Sequence, residues 1–285
     1  MKKIIVIICL CFFMTGCLDE VKFIDSITYT TLYPIKFATE FLYNEYTEVN
    51  SIYPNETVIK NYTLTDKQKK NYSKCETFVY SGIAKEGTIA KDFLNLNNNL
   101  QLIDATKGMN INYNAAELWL DPSNYLMLAR NIKESLIDYN DNVYVSNEIE
   151  KKYEELKEKI SELDVMLYNL GKNGDYNTLL VSNNLFTYLN KYNINTISLD
   201  ETADNLDRSY TTAKNMITLK EIKYIYVLRG EELGENINKL IDETEIEKIE
   251  ITALDNLSNE EANNGEDYIS IMKKIIDDYK KELYK

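Results

Sequence analysis

A single long amphipathic segment in the middle of the chain most constrains its fold. Apolar residues recur at spacings of three and four over residues 149–170, with Glu and Lys between them, which predicts one helix about 33 Å long. We expect this helix to begin after Ser146 and Asn147 and to end at Gly171 and Gly174. Three heptads are marginal for a coiled-coil dimer, so a helix within one molecule is the better prediction.

Short β-rich runs alternate with helical stretches on both sides of this helix, as in parallel sheets built from βαβ units. The predicted strands are 24–31, 49–53, 77–80, 100–104, 178–181, 196–199, 224–228 and 249–253. The predicted fold is α/β, with two similar lobes joined by one long rigid helix. Each lobe has a mostly parallel four-stranded sheet with flanking helices. Ligands of such sheets bind beyond the carboxyl ends of the strands, so a cleft between the lobes is the expected site.

The amino terminus has the pattern of a bacterial export signal. Two lysines precede an apolar run too short to span a bilayer, and Cys17 follows Thr15 and Gly16. We expect lipid on Cys17 to anchor the protein to the cell membrane, with its body outside the cytoplasm. The predicted division is a signal peptide at 1–16, an N-terminal lobe at 17–143, an interlobe helix at 144–171 and a C-terminal lobe at 172–285.

Composition excludes several classes of function. The formal charge of −14 argues against a nucleic-acid partner, which would need clustered Lys and Arg. Cys75 is left alone once the signal is removed and Cys17 is lipidated, so it should be a small buried residue of the core. The chain has neither a phosphate-binding Gly-rich loop nor the histidine that a catalytic triad would need, and we expect a monomeric protein that is not an enzyme.

Four segments resemble the motifs of a known family, in the right order and at compatible distances. They are ITYTTLYPIKF at 27–37, the stretch 62–82 that ends in FVYSG, WLDP at 119–122 and GEDYISIM at 265–272. The chain resembles the zinc and manganese ABC transporter substrate-binding proteins, whose two α/β lobes are joined by one rigid helix. The resemblance implies an ABC permease and its ATPase as partners.

The resemblance also implies four ligand positions, and most of them are changed. Lys60 and Glu117 stand where the family has histidines, and Asn183 stands where it has His or Glu. Asp255 keeps the aspartate of the family. Because the chain contains no histidine, the usual zinc site is absent.

Several interpretations of this altered site stay open. Oxygen ligands from Glu117, Asn183 and Asp255 suit Mn, Ca or Mg better than Zn. Lys60 could point away from such a site, take the place of the ion as an ion pair with Glu117 and Asp255, or help to bind a zwitterionic ligand. The four residues could also be surface residues at degenerate positions. The acidic pair Glu231-Glu232 is interpreted as a solvated face rather than a second metal site.

The motifs and the altered ligand positions are compatible with two functions. The first is a lipoprotein that delivers a divalent metal ion, Mn, Zn, Ca or Mg, or a replacement ligand to an ABC permease. The alternative is a degenerate surface lipoprotein on the same scaffold, without metal binding, that serves in adhesion or assembly.

Overall fold

A computed structural model describes residues 26–83, 85–244 and 246–285, so the predicted signal peptide and Cys17 lie outside the described residues. The N-terminal lobe holds a four-stranded parallel sheet with the order β2-β1-β3-β4. Its strands are β1 (Ile27–Thr30), β2 (Glu48–Ser51), β3 (Thr77–Tyr80) and β4 (Gln101–Asp104). Its helices are α1 (Tyr33–Tyr43), α2 (Asp66–Tyr72), α3 (Glu86–Leu96), α4 (Glu117–Leu120) and α5 (Pro122–Asp138), with a 3-10 helix at Ile59–Asn61.

The C-terminal lobe repeats this arrangement with the order β6-β5-β7-β8, again all parallel. Its strands are β5 (Thr178–Val181), β6 (Asn195–Ser198), β7 (Tyr224–Leu228) and β8 (Glu247–Ile251). Its helices are α7 (Leu206–Thr218), α8 (Glu235–Thr244), α9 (Asn259–Asn263) and α10 (Tyr268–Leu283), with a 3-10 helix at Asn184–Tyr192. The predicted fold of two similar α/β lobes is confirmed.

The composition of the strands agrees with their positions in the sheets. The inner strands β3 and β7 are nearly continuous apolar runs, TFVY and YIYVL, because helices cover both faces of a parallel sheet. The edge strand β8, EKIEI, leaves most of its side chains at the surface, and charged residues there discourage pairing with another chain. Cys75, just before β3, is buried with a free thiol, as predicted.

Helix α6 (Val143–Asn173) joins the two lobes. Its apolar seam, which includes Leu163, is buried throughout and packs against α1 and α5 of one lobe and α10 of the other. The predicted start after Ser146 is wrong, because the Asn142 side chain caps the helix by accepting the N–H of Tyr144 at 3.0 Å. Of the two predicted ends, Gly174 is confirmed as the C-cap, whereas Gly171 lies inside the helix. A glycine is needed at position 171 because a Cβ atom would lie 1.9 Å from the carbonyl oxygen of Tyr192.

The path of α6 sets the arrangement of the lobes. The turn before it lies at the amino end of the first sheet, where the Tyr139 hydroxyl donates to the carbonyl of Leu102 at 3.0 Å. Its last residue, Asn173, precedes the amino end of β5. The amino ends of the two sheets therefore lie at opposite poles of the molecule, and the carboxyl ends face each other between the lobes.

Candidate functional site

The loops that follow the strands meet at the boundary between the lobes. The carbonyl oxygen of Asp255, after β8, accepts the N–H of Tyr33, after β1, at 2.9 Å. The indole N–H of Trp119 donates to the carbonyl of Ala253 at 2.7 Å. The segment after β8 is thus fixed to the N-terminal lobe at the place where open α/β folds bind ligands.

Lys60 lies on this boundary but points into solvent. It belongs to the 3-10 helix Ile59–Asn61, and its side chain is exposed. The ion pairs of the described chain include none between Lys60 and either Glu117 or Asp255. The proposed closure of the cleft by such an ion pair is therefore not formed, because the ammonium group stays hydrated. Lys85, not Lys60, contacts the backbone of this segment. Its Nζ donates to the carbonyl oxygens of Tyr62, at 2.9 Å, and of Ile59.

Glu117 is turned away from the boundary toward its own loop. The side chain is 6% exposed, and Oε2 accepts the N–H of Asn112 at 3.0 Å. Oε1 accepts the N–H of Asn114 at 2.7 Å and also that of Tyr113. Because three backbone donors occupy most of its lone pairs, the carboxylate acts first as the support of the loop 112–114.

Asn183 is likewise committed to neighbours within its lobe. Its Oδ1 accepts the N–H of Leu185 at 2.9 Å, and its Nδ2 donates to Oε1 of Glu231 at 2.8 Å. Oε2 of Glu231 accepts the hydroxyl of Ser182 at 2.6 Å and the N–H of Leu228 at 3.0 Å. The interpretation of Glu231 as part of a solvated face is wrong, because its carboxylate is the acceptor that binds the ends of β5 and β7 together.

Asp255 differs from the other positions in having an available carboxylate. Burial raises the pKa of its carboxyl group, and the N–H groups of Asp255 itself and of Asn256 oppose this shift. Within residues 26–83, 85–244 and 246–285, no side chain donates a hydrogen bond to it. A cation close to Asp255 would therefore stabilise the ionised carboxylate, which burial disfavours, and lower its pKa.

Two residues that sequence reasoning did not single out connect the lobes. The hydroxyl of Tyr113, on the loop held by Glu117, approaches Asp200, which follows β6. Asp200 also accepts the N–H of Thr202 at 2.9 Å and that of Asn184 at 3.2 Å. Burial raises the pKa of Asp200, but these hydrogen bonds outweigh it and lower the pKa overall. The position of Asp200 directly after a strand was the only sequence signal for this contact.

Apart from Asp255, the acidic groups described at the boundary have hydrogen-bond donors from other parts of the protein. In the described ranges, no group of three or more His, Cys, Asp or Glu side chains is placed to hold a metal ion. An oxygen-only site made of Glu117, Asn183 and Asp255 is not assembled in this arrangement. To coordinate a metal ion, Glu117 and Asn183 would have to break their present hydrogen bonds and turn their oxygens toward the ion.

A second polar cluster lies at the carboxyl edge of the N-terminal sheet. The buried hydroxyl of Tyr53 donates to Oε1 of Glu86 at 2.8 Å, and Glu86 is only 1% exposed. The other Glu86 oxygen, Oε2, and the buried hydroxyls of Thr31 and Ser81 have no hydrogen-bond partner in the described part of the chain. Buried polar groups normally have partners, so this edge is built to contact something polar.

A cavity of about 320 Å³ opens beside this cluster, between the lobes. Tyr53 and Ser51 line it from the N-terminal lobe, and Asn256 and Leu257 line it from the C-terminal lobe. The lining also includes Lys36, whose Nζ is paired with Glu40 at 2.5 Å. Its wall therefore combines aromatic, hydroxyl, amide and charged groups, as small-molecule sites do.

Comparison with solved structures supports the fold. The metal-dependent lipoprotein YcdH from Bacillus subtilis is 21% identical with a TM-score of 0.72, over 90% of this chain and 99% of that one. The Zn(II)-bound ZnuA-like domain of Streptococcus pneumoniae AdcA is 22% identical with a TM-score of 0.72, over 91% and 100% of the two chains. The periplasmic zinc-binding protein TroA from Treponema pallidum is 14% identical with a TM-score of 0.70, over 91% and 99%.

No curated protein matches this sequence. A family model described as zinc-uptake complex component A, periplasmic, matches residues 28–282, which is nearly all of the part that the structure describes. The family consists of extracytoplasmic substrate-binding proteins of metal ABC transporters and is not a class of enzymes. This chain belongs to the family of zinc-uptake complex component A.

Proposed function

We propose that this protein is the substrate-binding lipoprotein of an ABC transporter and that it delivers a small, positively charged polar solute instead of zinc. The observation that carries the proposal is the 320 Å³ cavity between the lobes, next to the loop of Asp255. Membership of the family supports the receptor role. The altered residues at the family's ligand positions support a change of cargo.

The donor set argues against tight zinc binding. Structural and catalytic zinc sites are built from Cys and His with some carboxylates, and this chain has no histidine. Its single cysteine among the described residues is the buried Cys75. Glu117 and Asn183 are engaged by protein donors and acceptors, which leaves Asp255 alone. One carboxylate cannot complete the four-coordinate shell that zinc requires.

Asp255 lies one residue before Asn256 of the cavity lining and favours a cationic group at that edge, while the charged residue of the lining itself, Lys36, is paired with Glu40. An ammonium group near Asp255 would be stabilised by the carboxylate, and the carboxylate by it. Hydroxyl or amide groups of the solute could use the polar lining of Ser51 and Asn256. The volume is at the small end of the range for ligand pockets, about 300 to 1,000 Å³, so the solute would be of amino-acid size.

Native mass spectrometry and metal analysis of protein purified without an affinity tag would test the cargo. We expect less than a tenth of an equivalent of zinc, and no rise in melting temperature with Zn, Mn, Ca or Mg at micromolar concentration. Basic amino acids and polyamines, used as probes, should raise the melting temperature in a concentration-dependent way. One equivalent of tightly held zinc or manganese would refute the proposal.

The attachment to the membrane is a separate part of the proposal. The described ranges contain no helix with the length and hydropathy needed to cross a bilayer. We propose lipid on Cys17 as the anchor, with the N-terminal lobe before helix α6 (Val143–Asn173) and the C-terminal lobe after it. Replacing Cys17 with Ala should abolish metabolic labelling with a fatty acid and release the protein, and labelling that persists would contradict this anchor.

The alternative function, adhesion or assembly without a small ligand, is favoured by one observation. Tyr113 of the N-terminal lobe approaches Asp200 of the C-terminal lobe, so residues of the protein itself bridge the boundary. The two functions differ in the partners they need. Genes for a permease and an ATPase beside the gene of this protein would favour transport, and we propose such a pair as its partners.

A further inference from the structure

Several exposed apolar side chains lie at the end of the N-terminal lobe opposite the cleft. We define the N-terminal pole by Ile27, Leu96, Tyr139, Val143 and Tyr144. Val143 and Tyr144 are 72% and 69% exposed, among the highest values for large apolar residues of the described chain. The pole also exposes Ile27, Leu96 and Tyr139. Each lies at or next to the end of a strand or helix, where the fold does not require an apolar side chain.

Contacts place the ends of α1 and α5 and the start of α6 on one surface, and Ile27 and Leu96 lie near the amino ends of β1 and β4 of the same sheet. Asn140, next to Tyr139, donates to the hydroxyl of Tyr43 at 3.3 Å, and the rings of Tyr43 and Tyr46 lie 5.4 Å apart. Tyr46 of this loop and Glu148 of α6 line the same crevice, which places the start of α6 beside the same loop. The pole is therefore formed where α1 and α5 end and α6 begins.

The chain enters the lobe at this pole. Ser26, the first described residue, accepts the Thr47 hydroxyl at its carbonyl oxygen at 3.1 Å, and Thr47 follows Tyr46 in the loop at the pole. Ser26 lies nine positions after Cys17, and nine residues span at most about 30 Å. The proposed lipid anchor would thus hold the N-terminal pole close to the bilayer. The other pole lies farther away by the length of α6, about 46 Å.

We propose that the N-terminal pole rests on the lipid headgroup region of the membrane that holds the anchor. This inference rests on the lipidation of Cys17 and not on the identity of the cargo. Tyrosine suits this environment because its ring is apolar and its hydroxyl is polar, and tyrosines are enriched at membrane interfaces. Val143 adds apolar surface at the same level. Tethering by the lipid makes a weak contact effective because it raises the local concentration of lipid around the pole.

The charges at the pole define the lipids that it accepts. Exposed carboxylates of Glu45, Asp138 and Asp141 lie around the apolar side chains. They would be repelled by anionic headgroups, so contact should be stronger on zwitterionic than on anionic bilayers. In this resting orientation the body stands on its N-terminal pole with the cleft held away from the bilayer. Docking on a permease would then require the body to tilt.

A single fluorescent label tests this orientation in the intact lipoprotein. Burial raises the pKa of the Cys75 thiol to about 11 and keeps it unreactive, so a new surface cysteine would be labelled alone. Val143→Cys probes the N-terminal pole. Leu219→Cys is the matched control, because Leu219 is 68% exposed and lies between α7 and β7 at the other pole.

In vesicles of brominated phosphatidylcholine, quenching should be at least threefold stronger at position 143 than at position 219. Adding Tyr139→Asp and Tyr144→Asp should lower the quenching at 143 by at least half while the protein stays on the vesicles. Half phosphatidylglycerol in the vesicles should also lower it.

Other results would overturn the inference. Equal quenching at both positions, or none at 143 in vesicle-bound protein, would show that the pole does not face lipid. Protection of the label without quenching, growing with protein density, would assign the surface to a second copy of the chain. Protein without lipid on Cys17 would refute the anchor and this inference together, whereas lipidated protein without quenching would refute this inference alone.

Discussion

The side-chain amide of Asn183 donates to the carboxylate of Glu231 at 2.8 Å and so joins the loops that follow β5 and β7. Asn183 is one of the four positions at which the resemblance in sequence implies a ligand. The same amide donates to Glu231 through its nitrogen and accepts the N–H of Leu185 through its oxygen. A residue that could only accept hydrogen bonds would leave Glu231 without one of its donors.

Asn183→Asp should destabilise the protein at neutral pH. Two carboxylates would then face each other at hydrogen-bond distance, at a cost of about 2 to 3 kcal/mol. The mutual repulsion raises the pKa of the pair in the folded state, so the loss should be complete near pH 7 and should shrink as the pH falls and a proton is shared. Thermal denaturation from pH 4 to pH 8 would measure this.

The double variant Asn183→Asp with Glu231→Gln provides the control, because it exchanges donor and acceptor. It should recover at least half of the lost stability. Failure to recover any would mean that Asn183 and Glu231 are not paired.

Glu117→Ala should lower the free energy of unfolding by about 2 to 4 kcal/mol, because three backbone N–H groups would lose their acceptor. Glu117→Gln keeps one oxygen and should cost about half as much. Denaturant titrations followed by the fluorescence of Trp119, the single tryptophan of the chain, would report this change two residues away. A Glu117→Ala variant as stable as wild type would indicate that the carboxylate faces the cleft.

Asp255→Asn should stabilise the protein at neutral pH. Because burial raises the folded-state pKa of Asp255, ionisation of this group opposes folding at every pH above that pKa. Below the unfolded pKa, near 3.9, the group is neutral in both states and the opposition vanishes. The variant should therefore have the higher melting temperature at pH 7, with the difference disappearing toward pH 3. A lower melting temperature of the variant at pH 7 would mean that a cationic group of the protein stabilises the ionised form of Asp255.

Leu163→Asp should cost about 3 to 5 kcal/mol, because Leu163 is fully buried in the seam of α6 between the lobes. Val165→Asp, on the same helix but 54% exposed, should change stability by no more than about 0.5 kcal/mol. Circular dichroism during urea unfolding would compare the two variants. Similar losses in both would mean that α6 does not hold the lobes together through this face.

Part of the fold could be predicted because its signals are local. The apolar runs of β3, β5 and β7 and the seam of α6 follow from residues near one another in sequence. The ends of α6 were less predictable. Asn142 competes with Ser146 as a cap, and the close approach of Tyr192 to Gly171 comes from a segment about twenty residues away. Glycine there permits contact between helices and does not end the helix.

The α/β class, the two lobes and the absence of an imidazole metal site follow from the amino-acid sequence alone, because periodicity and composition fix these features. The directions in which the site residues point are set only when the chain folds. Glu117 accepts hydrogen bonds from residues at most five positions away. Asn183 instead pairs with Glu231 across 48 residues, and Tyr113 approaches Asp200 in the other lobe. Such choices depend on which donors and acceptors the folded chain brings together, and burial makes each polar group take a partner.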